Sequence, residues 1–228
     1  MAAHLLDNPI WESLASRHRS LALRQGEVAR YPAEVAPFLG VATEGIDVAA
    51  ALESLVPAGD TALLLGPVPS EPQGWELKQL AQLAQMVCPA PIGEAEGAEK
   101  IIELTAPHHA DVLALTALVY PHYFRPRTTD LGRYFGIYRD GRLVAMIGER
   151  MGMQDYTEIS AVCTHPDCNG QGYARRLLAW LSNDNLGHGR TPFLHVSQQN
   201  QRAIRLYERN GYRIRREIAF CSLRRVGG

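Results

Sequence analysis

The chain has 228 residues, 46% of them hydrophobic and 21% charged, enough for one large or two small globular domains with a packed core. The formal net charge is −1 and no basic block is present, which argues against general nucleic-acid binding through a phosphate-binding patch. Cys88, Cys163, Cys168 and Cys221 are too few for a disulfide framework, no apolar run is long enough to span a bilayer, and MAAHLLDNPIWESL lacks the regions of a signal peptide; the expected setting is a reducing cytoplasm, with no membrane partner.

In chain order, NPIWESLASRH reads as a short helix beginning near Pro9, and 47–56 as a helix stopped by Pro57 and Gly59. Residues 61–66, TALLLG, read as a short buried strand. The segment 75–87 is ambiguous: Leu77, Leu80, Leu83 and Met86 recur every third residue as in a helix, yet the segment is bounded like a strand. CPAPIGEAEGAEK (88–100), rich in Pro, Gly and Glu, reads as a linker, so the expected division is a half at 1–98 without a catalytic motif and a domain at 99–228. Beyond the linker the pattern predicts a strand at 101–105 and a helix at 106–120 capped by Thr105. A hairpin at 134–151 turns at Asp140-Gly141, and a strand follows at 157–164. The order closes with a helix over about 171–185, a strand at 192–197, a helix at 200–210 ended by Gly211, and a strand or hairpin at 212–225. The C-terminal arginines, among them Arg213, Arg215 and Arg216, fit alternating strand positions better than a basic tail. Strands precede the crossover helix, so the class is α/β (α+β) with a mixed sheet.

The stretch HPDCNGQGYARRLLAWL (165–181) turns on two glycines and becomes a helix at once. Ala174, Leu177, Leu178 and Leu181 fall at i, i+3, i+4 and i+7, while Arg175 and Arg176 lie on the face expected to be exposed. A helix start leaves N–H groups without partners and carries partial positive charge, and glycines let an anion reach that backbone. Phosphate is the expected guest. The loop is not a Walker loop, lacking Gly-Lys-Ser/Thr, and it is not the dinucleotide fingerprint, lacking a third glycine early in a βαβ unit. Taken alone, it is also compatible with a glycine turn that only lets the helix pack closely.

A second segment, NQRAIRLYERNGY (200–212), sets Asn200, Ala203 and Tyr207 on one helix face. Together the two segments resemble the GNAT superfamily of acyl-CoA-dependent N-acyltransferases. The phosphate-loop pattern is matched by Asn169, Gly170, Gln171, Gly172, Tyr173 and Ala174, with Asn169 departing from the family's Gln or Arg. The second pattern is matched by Asn200, Ala203, Leu206, Tyr207, Gly211 and Tyr212. The resemblance covers about residues 99 to 228, and AVCTHPDCNGQGYARRLL is most similar to the FR47-like branch, related to glycine N-acyltransferases. That implies a GNAT fold with a mixed, mostly antiparallel central sheet flanked by helices, and a degenerate GNAT-like half at 1–98.

The resemblance further implies acetyl-CoA as co-substrate, with no metal. Its pyrophosphate would lie on backbone N–H groups from Gly170 to Arg175. Its pantetheine arm would follow Val162, Cys163 and Thr164, with a backbone N–H near Val162 acting as a small oxyanion hole for a tetrahedral intermediate formed by direct amine attack. Tyr207 would stabilise the leaving thiolate by a hydrogen bond; it could equally be a core tyrosine. Glu158, which shares a strand face with Ser160, would serve as base through water; it could equally be an exposed strand glutamate paired with an arginine. The acceptor would be a primary amine of a small molecule, an amino acid or a peptide N-terminus. A non-catalytic acyl-CoA-binding sensor or scaffold shares the same loop, and a homodimer through edge pairing of the final strands is open.

Other constellations carry less. Cys163, His165 and Cys168 do not make four zinc ligands at a recognisable spacing, and sequence adjacency does not make Cys168 and His165 a nucleophile and base. His122 is expected in a loop, with Tyr120, Tyr123, Phe124 and Arg125, that covers the acceptor site. Arg125 or Arg127 could hold a carboxylate if the acceptor is an amino acid, although a plain surface arginine is the favoured reading of each. Acetyl and longer acyl groups are not distinguished, because that depends on pocket depth near Val144, Met146 and Ile159.

Overall fold

In the computed structural model, which describes residues 4–93, 95–119 and 123–226, the ambiguous segment Trp75–Val87 is a 13-residue strand. Its period-three leucines do not make a helix because strands pair with it on both sides. Chain order runs α1 (Pro9–Ala15), β1 (Leu23–Gln25), β2 (Val28–Arg30), β3 (Leu39–Val41), α2 (Ala49–Leu55), β4 (Thr61–Leu65), β5 (Trp75–Val87), β6 (Ile101–Glu103), α3 (His109–Val119), β7 (Tyr134–Arg139), β8 (Arg142–Gly152), β9 (Tyr156–Thr164), α4 (Tyr173–Gly187), β10 (Thr191–Ser197), α5 (Gln201–Arg209) and β11 (Arg213–Arg225). The three short strands β1, β2 and β3 lie in a stretch to which the sequence pattern assigns no element.

A large sheet holds eight strands in the order β4-β11-β5-β10-β9-β8-β7-β6, and β1-β2-β3 form a separate three-stranded sheet. Within the large sheet only the β9–β10 pair is parallel; the other pairs are antiparallel, so the mixed, mostly antiparallel GNAT sheet is present. β4 and β5 come from the first 98 residues yet lie inside this sheet, β5 between β11 and β10. β11 is one strand rather than a hairpin, and β4 covers it over Arg224 to Phe220, so there the final strand is not a sheet edge.

Two helices cover the sheet next to the site. Leu177, Leu178 and Leu181 of α4, all 0% exposed, pack with Ile147, Ile159 and Leu194. Val112 and Leu115 of α3 pack instead with Met146 and Cys163. Adjacent residues Met146 and Ile147 thus serve opposite faces, as strand alternation requires. The β7–β8 turn is the expected two-residue type, with Asp140 at φ 51° and Gly141 at φ 74°.

Candidate active site

The site begins where the parallel pair β9–β10 comes apart. The two strands are paired only over Tyr156–Glu158 against Thr191–Phe193, and beyond Glu158 they separate. On its other side β9 carries a bulge: Met146 faces Cys163 and Gly148 faces Ser160, so Ala161 and Val162 together oppose Ile147. Ala161 takes a left-handed backbone, φ 49°, a conformation a residue with a Cβ rarely holds outside a functional constraint. The bulge bends the strand at the point where two cavities meet.

The first cavity, about 940 Å³, is lined by Gly170, Gly172, Tyr173, Ala174 and Arg175 on one side and by α5 on the other. Gly172, φ 82°, is the N-cap of α4 and offers no side chain to its first turn. The first intrahelical donor here is the Arg176 N–H to the Gly172 carbonyl, so the N–H groups of Tyr173, Ala174 and Arg175 have no helical acceptor. Gly170, also φ 82°, has open space where a Cβ would stand, as does Gly172. An alanine at either position would strain the backbone and fill that space. Arg175, Arg202, Arg205 and Arg209 line the cavity and no Asp or Glu does so among the described residues. A cradle of N–H donors ringed by guanidinium groups fits the phosphates of acetyl-CoA.

Of the residues assigned to acetyl-CoA from sequence, Val162, Thr164, Asn169, Asn200, Ala203 and Tyr207 also line this cavity. Cys163 lines the second cavity instead. Gln171 lines neither; its side-chain oxygen accepts from Arg139 at 2.9 Å. The Asn200 side chain caps α5, accepting from the Ala203 N–H at 3.1 Å. Arg202, Arg205 and Arg209 escaped the sequence reading, although their i, i+3, i+7 spacing marks one helix face.

The second cavity, about 510 Å³, lies on the other side of the opening. Val119, Val162, Asn200, Ala203 and Tyr207 line both cavities, so the two are joined at Tyr207. Its far wall holds Phe38, Leu65, Leu80, Ala81 and Leu83, all from the half without motifs.

Glu158 stands apart from the base role assigned to it. Its side chain is 0% exposed, and it lines neither cavity among the described residues. Both its oxygens accept from Arg150, at 2.7 Å and 2.6 Å, and Oε1 also accepts from His195 Nδ1 at 2.7 Å. Burial by itself would raise this carboxyl, but the Arg150 guanidinium and the His195 hydrogen bond outweigh it and hold the group at about 2. Gln85 donates to the Leu6 carbonyl at 2.7 Å and to His195 Nε2 at 3.0 Å, and its own oxygen accepts from Arg215 at 2.8 Å. That pattern puts the imidazole hydrogen on Nδ1 and engages both ring nitrogens. Arg150, which the sequence reading did not single out, lines the second cavity, with its guanidinium 4.9 Å from the centre of the Phe38 ring.

Cys163, His165 and Cys168 do not converge on a metal: among the described residues no three His, Cys, Asp or Glu side chains do so. Cys163 is buried, which pushes its thiol up to about 12. Arg127 pairs with Glu34 and Asp130, and neither it nor Arg125 lines either of these two cavities. Val144 and Met146 are core residues, whereas Ile159 does line the second cavity. Tyr120 and His122 lie outside the described residues. Among the described residues no helix is long and apolar enough to cross a membrane.

The model of the FR47-like protein family matches residues 134–221, the span from β7 into β11. A crystal structure of a GNAT-family protein from Novosphingobium aromaticivorans DSM 12444, named as an acetyltransferase, is 31% identical, with a TM-score of 0.89 over 99% of this chain and 100% of that one. A GCN5-related N-acetyltransferase from Kribbella flavida shares the fold at 17% identity, with a TM-score of 0.62 over 95% of this chain and 92% of its own. A GCN5-related N-acetyltransferase-like protein from Streptococcus suis does so at 14% identity, TM-score 0.54, over 87% and 84%. No curated protein matches the chain. The full-length similarity above 30% identity, together with the eight-stranded sheet and its opened β9–β10 pair, means that the chain belongs to the GNAT family of acetyltransferases, whose members transfer acyl groups from acetyl-CoA.

Proposed function

We propose that this protein is an N-acetyltransferase that moves an acetyl group from acetyl-CoA to a primary amine of a small molecule, an amino acid or a peptide N-terminus. The observation that carries this reading is the meeting of two cavities at Tyr207 and Val162, one lined by arginines and one with an apolar far wall. Acetyl-CoA would supply the acetyl group as a thioester. The amides of Tyr173, Ala174 and Arg175, with Arg202, Arg205 and Arg209, would hold the phosphates. The Val162 N–H is the proposed donor toward the thioester oxygen, where negative charge develops.

The amine, entering from the second cavity, attacks the thioester carbon; the N–C bond forms, the C–S bond breaks, and the amine proton leaves to solvent. Tyr207 donates a hydrogen bond to the departing sulfur. A phenol near 10 is a weaker acid than a thiol near 8.5, so the hydrogen bond rather than full proton transfer is the contribution. Glu158 is assigned the holding of Arg150 against the cavity wall rather than proton abstraction, in keeping with its burial. The reaction is assigned to a reducing cytoplasm, consistent with four cysteines that are all free thiols.

Mass spectrometry of products from acetyl-CoA and a panel of amines tests the reading. One class of amine is expected to gain an acetyl group. Tyr207→Phe is expected to lower kcat by roughly 100-fold with acetyl-CoA affinity nearly unchanged. Tight acetyl-CoA binding with no acetylated product from amines or peptides, or from longer acyl-CoAs, would favour an acyl-CoA-binding sensor or scaffold instead.

A further inference from the structure

The walls of the second cavity bear on the acceptor, on the understanding that acetyl transfer is the reaction. Among its described lining residues there is no Asp or Glu, and Arg150 is the only Lys or Arg. The charge of Arg150 is matched from behind by Glu158 at 2.6 Å, so the pair brings little net field into the cavity. The rest of the wall sets aliphatic and aromatic side chains, among them Phe38, Leu65, Ile159 and Phe220, beside Ser160, His195, Ser197 and Asn200, none of them a carboxylate. Leu80, which also lines it, is 46% exposed, an apolar side chain of the cavity mouth that the chain's own packing leaves uncovered.

A polyamine or aminoglycoside would carry several ammonium groups to a wall that offers no carboxylate, and burying an unpaired charge is strongly unfavourable. An amino acid would set its carboxylate against Arg150, already bound through two nitrogens to buried Glu158, and so bring two negative groups together. A single amine on an apolar body meets neither obstacle. Burial disfavours its ammonium form, and the free amine is the form that attacks a thioester.

We propose that the acceptor is an apolar monoamine, an alkyl or arylalkyl amine with one basic nitrogen and no carboxylate, seated against Phe38, Leu65, Leu80 and Phe220.

The test compares kcat/KM of the full chain for phenethylamine, isoamylamine, putrescine, spermidine, kanamycin and phenylalanine, together with acetyl-CoA affinity. Phenethylamine or isoamylamine is expected to exceed each of the others by at least roughly tenfold. Leu80→Asp, at an exposed position, is expected to raise the putrescine-to-phenethylamine ratio about tenfold with acetyl-CoA affinity unchanged, since a carboxylate at the mouth would receive the second ammonium. Preference for a polycation or for phenylalanine overturns the proposal and leaves acetyl transfer standing. No product from any of these amines overturns the proposal; acetyl transfer falls with it only when peptides and longer acyl-CoAs also give no product while acetyl-CoA still binds.

Discussion

Two buried titratable side chains, His18 and Glu158, contribute to how this fold responds to acid. Burial, with Arg17 adding to it, lowers the His18 imidazole from its ordinary 6.5 to about 4. In the fold it stays neutral, its Nδ1 bonded with Ser13 and Tyr31 hydroxyls at 3.1 Å and 2.9 Å. The unfolded chain therefore binds the extra proton between those values. The contribution of His18 is full above 6.5 and is lost as pH falls toward 4, a loss on the order of 3 kcal/mol. Glu158 is depressed to about 2, so its contribution is full above the unfolded value of 4.5 and is lost as pH falls from there through 2. Urea unfolding across pH should show stability declining in two stages. His18→Gln should reduce the loss between 6.5 and 4, and Glu158→Gln the loss below 4.5, to which Asp7, held against partial burial at about 2 by Arg216 and Arg215, also contributes. At neutral pH, Glu158→Gln should cost about 3–5 kcal/mol, because the largely buried Arg150 would lose its charge partner. A base reading for Glu158 would instead show as lost kcat in a protein of unchanged stability.

At the scale of the element, the start of α4 and the arginine face of α5 line the first cavity from two sides. Gly172→Ala would force a residue with a Cβ to hold φ 82°, a cost of about 1–2 kcal/mol, and would fill space beside the amides. Acetyl-CoA affinity should fall roughly 10-fold or more in a titration calorimeter, with the fold intact by circular dichroism. Arg205→Ala should weaken binding and flatten its dependence on salt, since exposed guanidinium–phosphate attraction is screened. The same titration at two ionic strengths reads both effects. These parts were legible in the sequence because they are local: glycine positions, a cap and helical spacing all lie within about a dozen residues. The arginine face could have been read by the same spacing rule. The strands β1, β2 and β3 could not, since three-residue strands are too short to show a period.

At the scale of the whole molecule, β5 ties the first 98 residues into the sheet that carries the site. It pairs with β10 over Leu83–Val87 and with β11 along its full length. Residues 99–228 expressed alone would leave those edges open, so we expect a chain that aggregates or lacks a cooperative unfolding transition; a soluble, cooperatively folding fragment would support an independent domain there. Local pattern alone determined the order of most elements and the glycine turn that opens α4, because each depends on neighbours close in sequence, and the resemblance to the GNAT family added Tyr207 as the residue to watch. Only the tertiary structure decided that 75–87 is a strand, that Glu158 is spent on Arg150, and that Phe38, Leu65 and Leu80 wall the second cavity. Those outcomes depend on which strands pair and on which side chains meet across more than a hundred residues of chain, and a short-range hydrophobic period carries no record of that.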